Sequence, residues 1–294
     1  MTTYTTYSQV GRAEDVSDII KSITPFDVPF FSMIGSERTH ARNFDYQSDV
    51  LRSPSSNAKL EGADASMITI SPTTLRSGTC QIISEAFQIS ETADAIKTYG
   101  RAKETAYQLA KTLKNVKRDY EHAMVGVSNA AVAGNASTAR EMASIDQMIT
   151  TSLDAGSNAT DALTETKILT LGQTCYTNGS SPDVMMCKPA DAQLIANMAA
   201  SLGRERDFGQ STKLVNAVDI YVSPFGTYKV VLNRHQLSTH LFLLDPGMFK
   251  SVVLRPFSRT LLAKTGDSDK HQVLGEVSVK HQVWEDSGMI TGLS

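Results

Sequence analysis

The longest regular alternation of apolar and polar positions runs over residues 91–128. Ile96, Tyr99, Ala102, Ala106, Leu109, Ala110, Leu113, Val116, Tyr120, Ala123 and Met124 recur every three or four residues, the spacing of one helix face. Lys103, Glu104, Lys111, Lys114, Lys117, Arg118, Asp119 and Glu121 largely fill the other side. Ser90 is placed to cap the first turn, with Glu91 inside it, where an acceptor and a negative charge are both favoured. The pattern predicts one helix over 91–128, roughly 50 Å long. Such a helix cannot bury its stripe alone. The clearest period-two pattern supplies a partner. Val273, Gly275, Val277, Val279 and Val283 alternate with Gln272, Glu276, Ser278, Lys280 and Gln282, with Leu274 and Trp284 out of phase. A long strand with one apolar face, laid along the helix, makes one elongated unit.

Upstream, Val16, Ile19, Ile20 and Ile23 predict a short helix at 13–23. In TPFDVPFFSMIG, Pro25 and Pro29 argue against a regular helix, while Phe26, Phe30 and Phe31 demand a surface to dock on. That surface is the chain's own domain or a neighbouring subunit. Residues 38–51 alternate, Phe44, Tyr46 and Val50 against Asn43, Asp45, Gln47 and Asp49. A loop of small and charged residues follows, and alternation returns from Ile68 to Ile89, broken at Pro72. The reading is a two-stranded arm over 38–90 with a mobile tip. A hairpin this long is marginal alone, and the pattern shows no surplus apolar face, so the arm is expected to need a neighbour.

Downstream, a short helix is expected near 144–152, then a linker. Helix at 161–177, strand at 183–188, helix from Pro189 to Gly203 and strands at 214–222 and 227–232 describe a compact α/β subdomain over about 155–244. HLFLLD and FKSVVLRPF on either side of Pro246-Gly247 read as further strands.

Composition changes this picture little. Of 294 residues 41% are hydrophobic and 20% charged, and the net charge is −3, ordinary globular values with no overall basic footprint for free nucleic acid. No apolar run reaches membrane-spanning length and no signal peptide is visible, so cytoplasmic synthesis is expected. Cys80, Cys175 and Cys187 are too widely spaced for a zinc site or a disulfide framework. His40, His122, His235, His240, His271 and His281 form no ligand motif, and no phosphate-binding or nucleophile-elbow motif occurs. No catalytic residue, cofactor or metal is therefore assigned. Asp267 and Asp269 beside Lys264 and Lys270 read as a solvated loop. Lys111, Lys114, Lys117 and Arg118 read first as a solvated face and second as a contact for packaged nucleic acid.

Four blocks carry a resemblance: SITPFDVPFFSMIG, NAKLEGADAS, GRAKETAYQLAKTLKNVKRDYEHAMVG and VVLRPFSRTLLAKTGDSDKHQVLGEVSVKHQ. They resemble blocks in major head proteins of tailed bacteriophages, in the family of short-tailed phages with elongated heads, and extend from residue 22 to about 282. The resemblance implies an α+β fold of the Hong Kong 97 type. It implies an N-terminal arm at 1–37 and an extended E-loop at 38–88. The peripheral domain, with its long spine helix, would take 89–154 and 245–294, and an axial domain 155–244. It implies a structural shell subunit forming hexamers and pentamers around double-stranded DNA, located in the virion capsid. Expected partners are copies of the chain, a separate scaffolding protein (because the arm starts close to Met1), a portal, cement proteins and weakly, nonspecifically bound DNA. A cargo-enclosing shell of the same fold and a small α/β enzyme with a helical dimerisation arm are the alternatives. The contact residues expected on the E-loop are Arg42, Asp45, Asp49, Arg52, Lys59, Glu61 and Asp64, and those docking the N-terminal arm are Phe26, Phe30 and Phe31. Lys59 lies near the loop tip, but a single lysine is not taken as a cross-linking site.

Overall fold

The computed structural model describes residues 27–52, 54–62, 64–65, 67–96, 103–156, 162–201 and 220–293. The helix expected at 13–23, and Phe26, lie outside these residues. The chain enters through a five-residue helix, α1 (Pro29–Met33), and a strand, β1 (Gly35–Arg38). The helix corrects the reading that the prolines forbid one. Pro29 occupies the first helical position, where no N–H is required and its fixed φ suits the helix. The arm is narrower than the alternation suggested: β2 (Asn43–Ser48) pairs antiparallel with β3 (Thr74–Thr79). The second half of the expected arm, β4 (Gln81–Ser90), leaves it and joins a larger sheet.

The predicted 91–128 helix is divided. Ser90 caps α2 (Glu91–Ala95) through a bond from Ala93 N to its hydroxyl. Ile96 and Lys103 are both extended, and α3 (Glu104–Val125) has 22 residues, about 33 Å. The cap of α3 comes from α2. Asp94 Oδ1 accepts from Thr105 N at 3.1 Å, which also holds the Asp94 carboxyl below the usual range. The buried stripe is rotated from the expected one. Thr112, Val116, Tyr120, Glu121, Met124 and Val125 are buried, whereas Ala106, Ala110 and Leu113 are exposed.

In the second half of the chain, the helix expected at 144–152 is a single 3-10 turn at Ile145–Gln147 followed by β5 (Thr151–Asp154). Then come α4 (Glu165–Thr177), β6 (Val184–Cys187), α5 (Pro189–Ser201), β7 (Ile220–Ser223) and β8 (Gly226–Leu232). The chain ends in β9 (Leu241–Leu244), β10 (Phe249–Leu261), β11 (Ser268–His281) and β12 (Gly288–Thr291). Two main sheets result, in the orders β1-β10-β11-β4 and β5-β12-β9-β6-β8-β7. β5 and β12, which the pattern grouped with the long helix, pair in parallel within the six-stranded sheet.

The alternation along β11 has its expected consequence. Val273, Val277 and Val279 are buried in one core with Val116, Tyr120 and Met124 of α3. Tyr120 seals the contact: its hydroxyl bonds Ser251 Oγ and Ser278 O, each at 2.8 Å. Pro256 falls where the β10–β11 register slips, a place a strand tolerates a residue without an N–H. β6 and β9 are buried on both faces. Met186, Phe242 and Leu244 enter the α3 core. Met185, Cys187, Leu241 and Leu243 enter a second core with Ile168, Leu171 and Cys175 of α4 and Ile195 of α5. The six-stranded sheet is thus a wall shared by both cores.

Candidate functional site

Two strands and a long loop project from this body. Along 49–73 no strand or helix residue is present among those described. The loop carries large apolar side chains in solvent. Leu51 is 98% exposed, Met67 92%, Ile70 86% and Leu60 84%, with Val50 and Ile68 also open, as is Leu75 at the start of β3. This corrects the reading of a charged arm without apolar surplus. The segment lacks regular periodicity, so its apolar residues did not register as a face.

The root of the arm is held by its own subunit, against the expectation that it gains little there. Arg76 Nη2 lies 3.0 Å from Glu285 Oε1, and its guanidinium carbon sits 4.0 Å from the centre of the Trp284 ring. Trp284 Nε1 donates to the Tyr46 hydroxyl at 3.0 Å. Lys280 Nζ lies 5.2 Å from the Tyr46 ring centre and 3.2 Å from Glu37 Oε2. Burial raises the Tyr46 phenol above its ordinary value, with the Trp284 bond and Arg76 pulling the other way. A cation–π contact is worth about 0.5–2 kcal/mol, and a partly shielded ion pair adds to it. Within the arm, Phe44 lies across its strand partner Gly78. A Cβ at Gly78 would come within 2.3 Å of that ring, so glycine is needed for the ring to lie flat. None of Tyr46, Arg76, Trp284 and Glu285 stood among the expected site residues. The available signal was Trp284, one of the two residues out of phase with the period-two pattern.

The expected contact residues scatter over this arm. Arg42 is exposed just before β2, and Asp45 points outward from it. Asp49 Oδ1 accepts from Val50 N at 2.9 Å, and Arg52 Nη1 donates to Ser55 Oγ at 2.8 Å. Lys59, Glu61 and Asp64 are exposed in the loop.

Phe30 and Phe31 dock on their own chain. Phe30 is buried, edge-on to Phe249 at 5.5 Å, and Phe31 meets Tyr120 at 5.4 Å. The helix they open is capped from a distance. Val28 offers no side-chain cap; instead Glu121 of α3 accepts from Phe30 N at 2.9 Å, Phe31 N at 2.8 Å and Asn233 Nδ2 at 2.7 Å. Glu121 is fully buried. Burial pushes its carboxyl up, and the three donors pull it back. Sequence reasoning had placed Glu121 on the polar face of the helix.

Among the described residues no group of three or more His, Cys, Asp or Glu is placed to hold a metal. No helix among them is long and apolar enough to cross a membrane. The three thiols are buried and pushed up, Cys80 and Cys175 to about 11 and Cys187 to about 12, the reverse of an activated nucleophile. What the described residues present openly is contact surface: an apolar loop on a clamped two-stranded root.

Comparison with known proteins agrees with a role in contacts. The sequence model of one family, SU10 major capsid protein, matches residues 1–294. The major capsid protein of Escherichia phage Phieco32 is 26% identical, over 98% of this chain and 96% of that protein. Among solved structures, the capsid asymmetric unit of cyanophage A-1(L) superposes with a TM-score of 0.69 at 10% identity, covering 98% of both chains. The capsid of a native GTA particle gives 0.65 at 9% identity, covering 96% of both. These neighbours have the Hong Kong 97-like capsid fold.

Proposed function

Because the chain belongs to the SU10 major capsid protein family, and so is a structural subunit of a capsid shell made from many copies, we propose that the projecting arm is what joins those copies. The observation that carries this is the pairing of a rigid root with an apolar loop. Leu51, Leu60, Met67 and Ile70 stand open to solvent, while Arg76, Trp284 and Tyr46 hold the strands beneath them in place. Exposed apolar patches of this kind mark interaction sites, and a pre-set root lowers the ordering cost of docking. Arg42, Asp45, Asp49, Arg52, Lys59, Glu61 and Asp64 form the polar rim of the contact. Each exposed pair adds about 0–1 kcal/mol, and the apolar side chains supply the larger share.

In this reading, residues to 37 are the N-terminal arm and 38–88 the E-loop. α3 with its four-stranded sheet is the peripheral unit, and 155–244 is the axial unit, its sheet extended by β5 and β12. The copies form hexamers and pentamers of a phage head around double-stranded DNA, with a separate scaffolding protein, a portal and cement proteins as partners, after synthesis in the host cytoplasm. The role is contact and not catalysis. Membership of a major capsid protein family, with a phage capsid protein as relative, favours this over a cargo shell or an enzyme. The test compares Leu60→Ser/Ile70→Ser and Glu61→Lys/Asp64→Lys with wild type. Particle yield is read by electron microscopy and subunit melting on the same preparation. The apolar pair is expected to lose most particles with unchanged melting, and the charge pair to lose fewer. Normal particles from Leu60→Ser/Ile70→Ser would remove the loop from the contact.

A further inference from the structure

One row of α3 is covered at its C-terminal end and left open along the rest. Ala106, Ala110, Leu113 and Lys117 recur every three or four residues, so they share one line along the helix. All four are exposed. The line continues through Tyr120, Glu121 and Met124, and there it is covered. Phe31 of α1 meets the Tyr120 ring, Glu121 accepts from Phe30 N and Phe31 N, and Phe30 and Met124 share one core. This cover comes from the entering chain and stops where the described residues begin. Asp27 lies beside His235, and His235 lies against Gly126, the C-cap of α3. The chain upstream of Asp27 therefore starts from the covered end of the row.

Residues 1–26 lie outside the described ones, and their sequence carries a matching face. Val16, Ile19, Ile20 and Ile23 fall on one side of a helix, and Pro25 disfavours helical backbone at Thr24. A helix over 13–23 is about 16 Å long, and the open row from Ala106 to Lys117 also spans about 16 Å. Thr24 to Phe26 can bridge about 10 Å to Asp27. The charges are complementary as well. Glu14, Asp15 and Asp18 outnumber Lys21 within 13–23, whereas 106–117 carries lysines and no carboxylate.

We propose that residues 13–23 lie as a helix along this row of their own subunit, with Val16, Ile19, Ile20 and Ile23 against Ala106, Ala110 and Leu113. The two alanines let the helix axes approach to about 8 Å, and the apolar side chains of both faces leave water together. The N-terminal arm then folds back over the helix it comes from and is not a bond between copies. This is a property of the single subunit, so it stands or falls apart from the contact made by the loop of the projecting arm.

The test uses the full chain as unassembled subunit. Hydrogen exchange read by mass spectrometry is expected to show residues 13–23 exchanging about tenfold or more slowly than an open chain. Leu113→Asp puts a carboxylate into the row and is expected to remove that protection while the core half of α3 keeps its own. Leu60→Ser/Ile70→Ser, which alters the projecting loop, is expected to leave it unchanged. Cross-linking identifies the chain that supplies the cover. Val16→Cys with Ala110→Cys, or Ile20→Cys with Leu113→Cys, is expected to close a disulfide within one chain under mild oxidation, which requires Cα atoms within about 7 Å. Cys80, Cys175 and Cys187 are buried and do not compete. The control, Ile20→Cys with Lys229→Cys on β8, is expected to stay reduced. Residues 13–23 without protection in the wild type, or protection that survives Leu113→Asp, would overturn the proposal. So would a disulfide that joins two chains, which would give the row to the segment of a neighbouring copy.

Discussion

Glu121 accepts three hydrogen bonds where water does not reach, and two of them come from the first turn of α1. Removing it strands those donors, and each buried unsatisfied group costs about 1–3 kcal/mol. Glu121→Ala is expected to lower stability by about 3 kcal/mol or more in thermal or denaturant unfolding, and Glu121→Gln by less, because the amide oxygen still accepts. Equal losses for the two would show that side-chain volume, not the cap, is what matters. His281 is a second buried polar group with a sign that can be worked out. It stacks on Phe249 at 4.0 Å, with Nδ1 3.3 Å from Met148 O and Nε2 3.4 Å from Ser287 Oγ. Burial lowers it from 6.5 to about 4. The folded state therefore favours the neutral ring. Its contribution is complete above pH 6.5 and is lost as pH falls towards 4, a change of roughly 3 kcal/mol. Denaturant titrations at pH 7.5, 5 and 4 should show this decline, and His281→Phe should show a flatter one across the same window.

Among the elements, α3 gives the sharpest contrast. Val116 is 1% exposed and Leu113 39%. Val116→Asp buries an unpaired carboxylate, at several kcal/mol, and is expected to yield insoluble protein. Leu113→Asp is expected to remain soluble and folded by circular dichroism. The reverse result would put the wrong face of the helix in the core. Periodicity located α3, α4, β6 and β9 through β11 because each repeats its local pattern against one packed surface. It could not locate what depends on a distant residue. The break between α2 and α3 rests on Asp94 capping Thr105, and α1 rests on Glu121, 91 positions away. The clamp joins Tyr46 and Arg76 to Trp284 across more than 200 positions. The apolar loop of the arm stayed hidden for the opposite reason: residues that stand open to solvent leave no period to read.

For the molecule as a whole, the clamp has a mechanical meaning. Trp284 and Glu285 lie in the short connection between β11 of the four-stranded sheet and β12 of the six-stranded one. Arg76→Ala removes the ion pair and the cation–π contact at a cost of about 1–2 kcal/mol. It is expected to speed amide exchange in β2 and β3 and to yield misshapen or fewer particles, while β6 and β9 keep their protection. Unchanged exchange in the arm would mean the clamp holds nothing. The arm is then a lever, with its load point at Leu51 to Ile70 and its fulcrum at the joint between the two sheets. In the proposed contact, a load at the tip would pass through the Arg76–Trp284 clamp to that joint. An arm clamped at that joint would then follow the tilt of its own subunit, so a change of curvature in the shell would re-aim every arm.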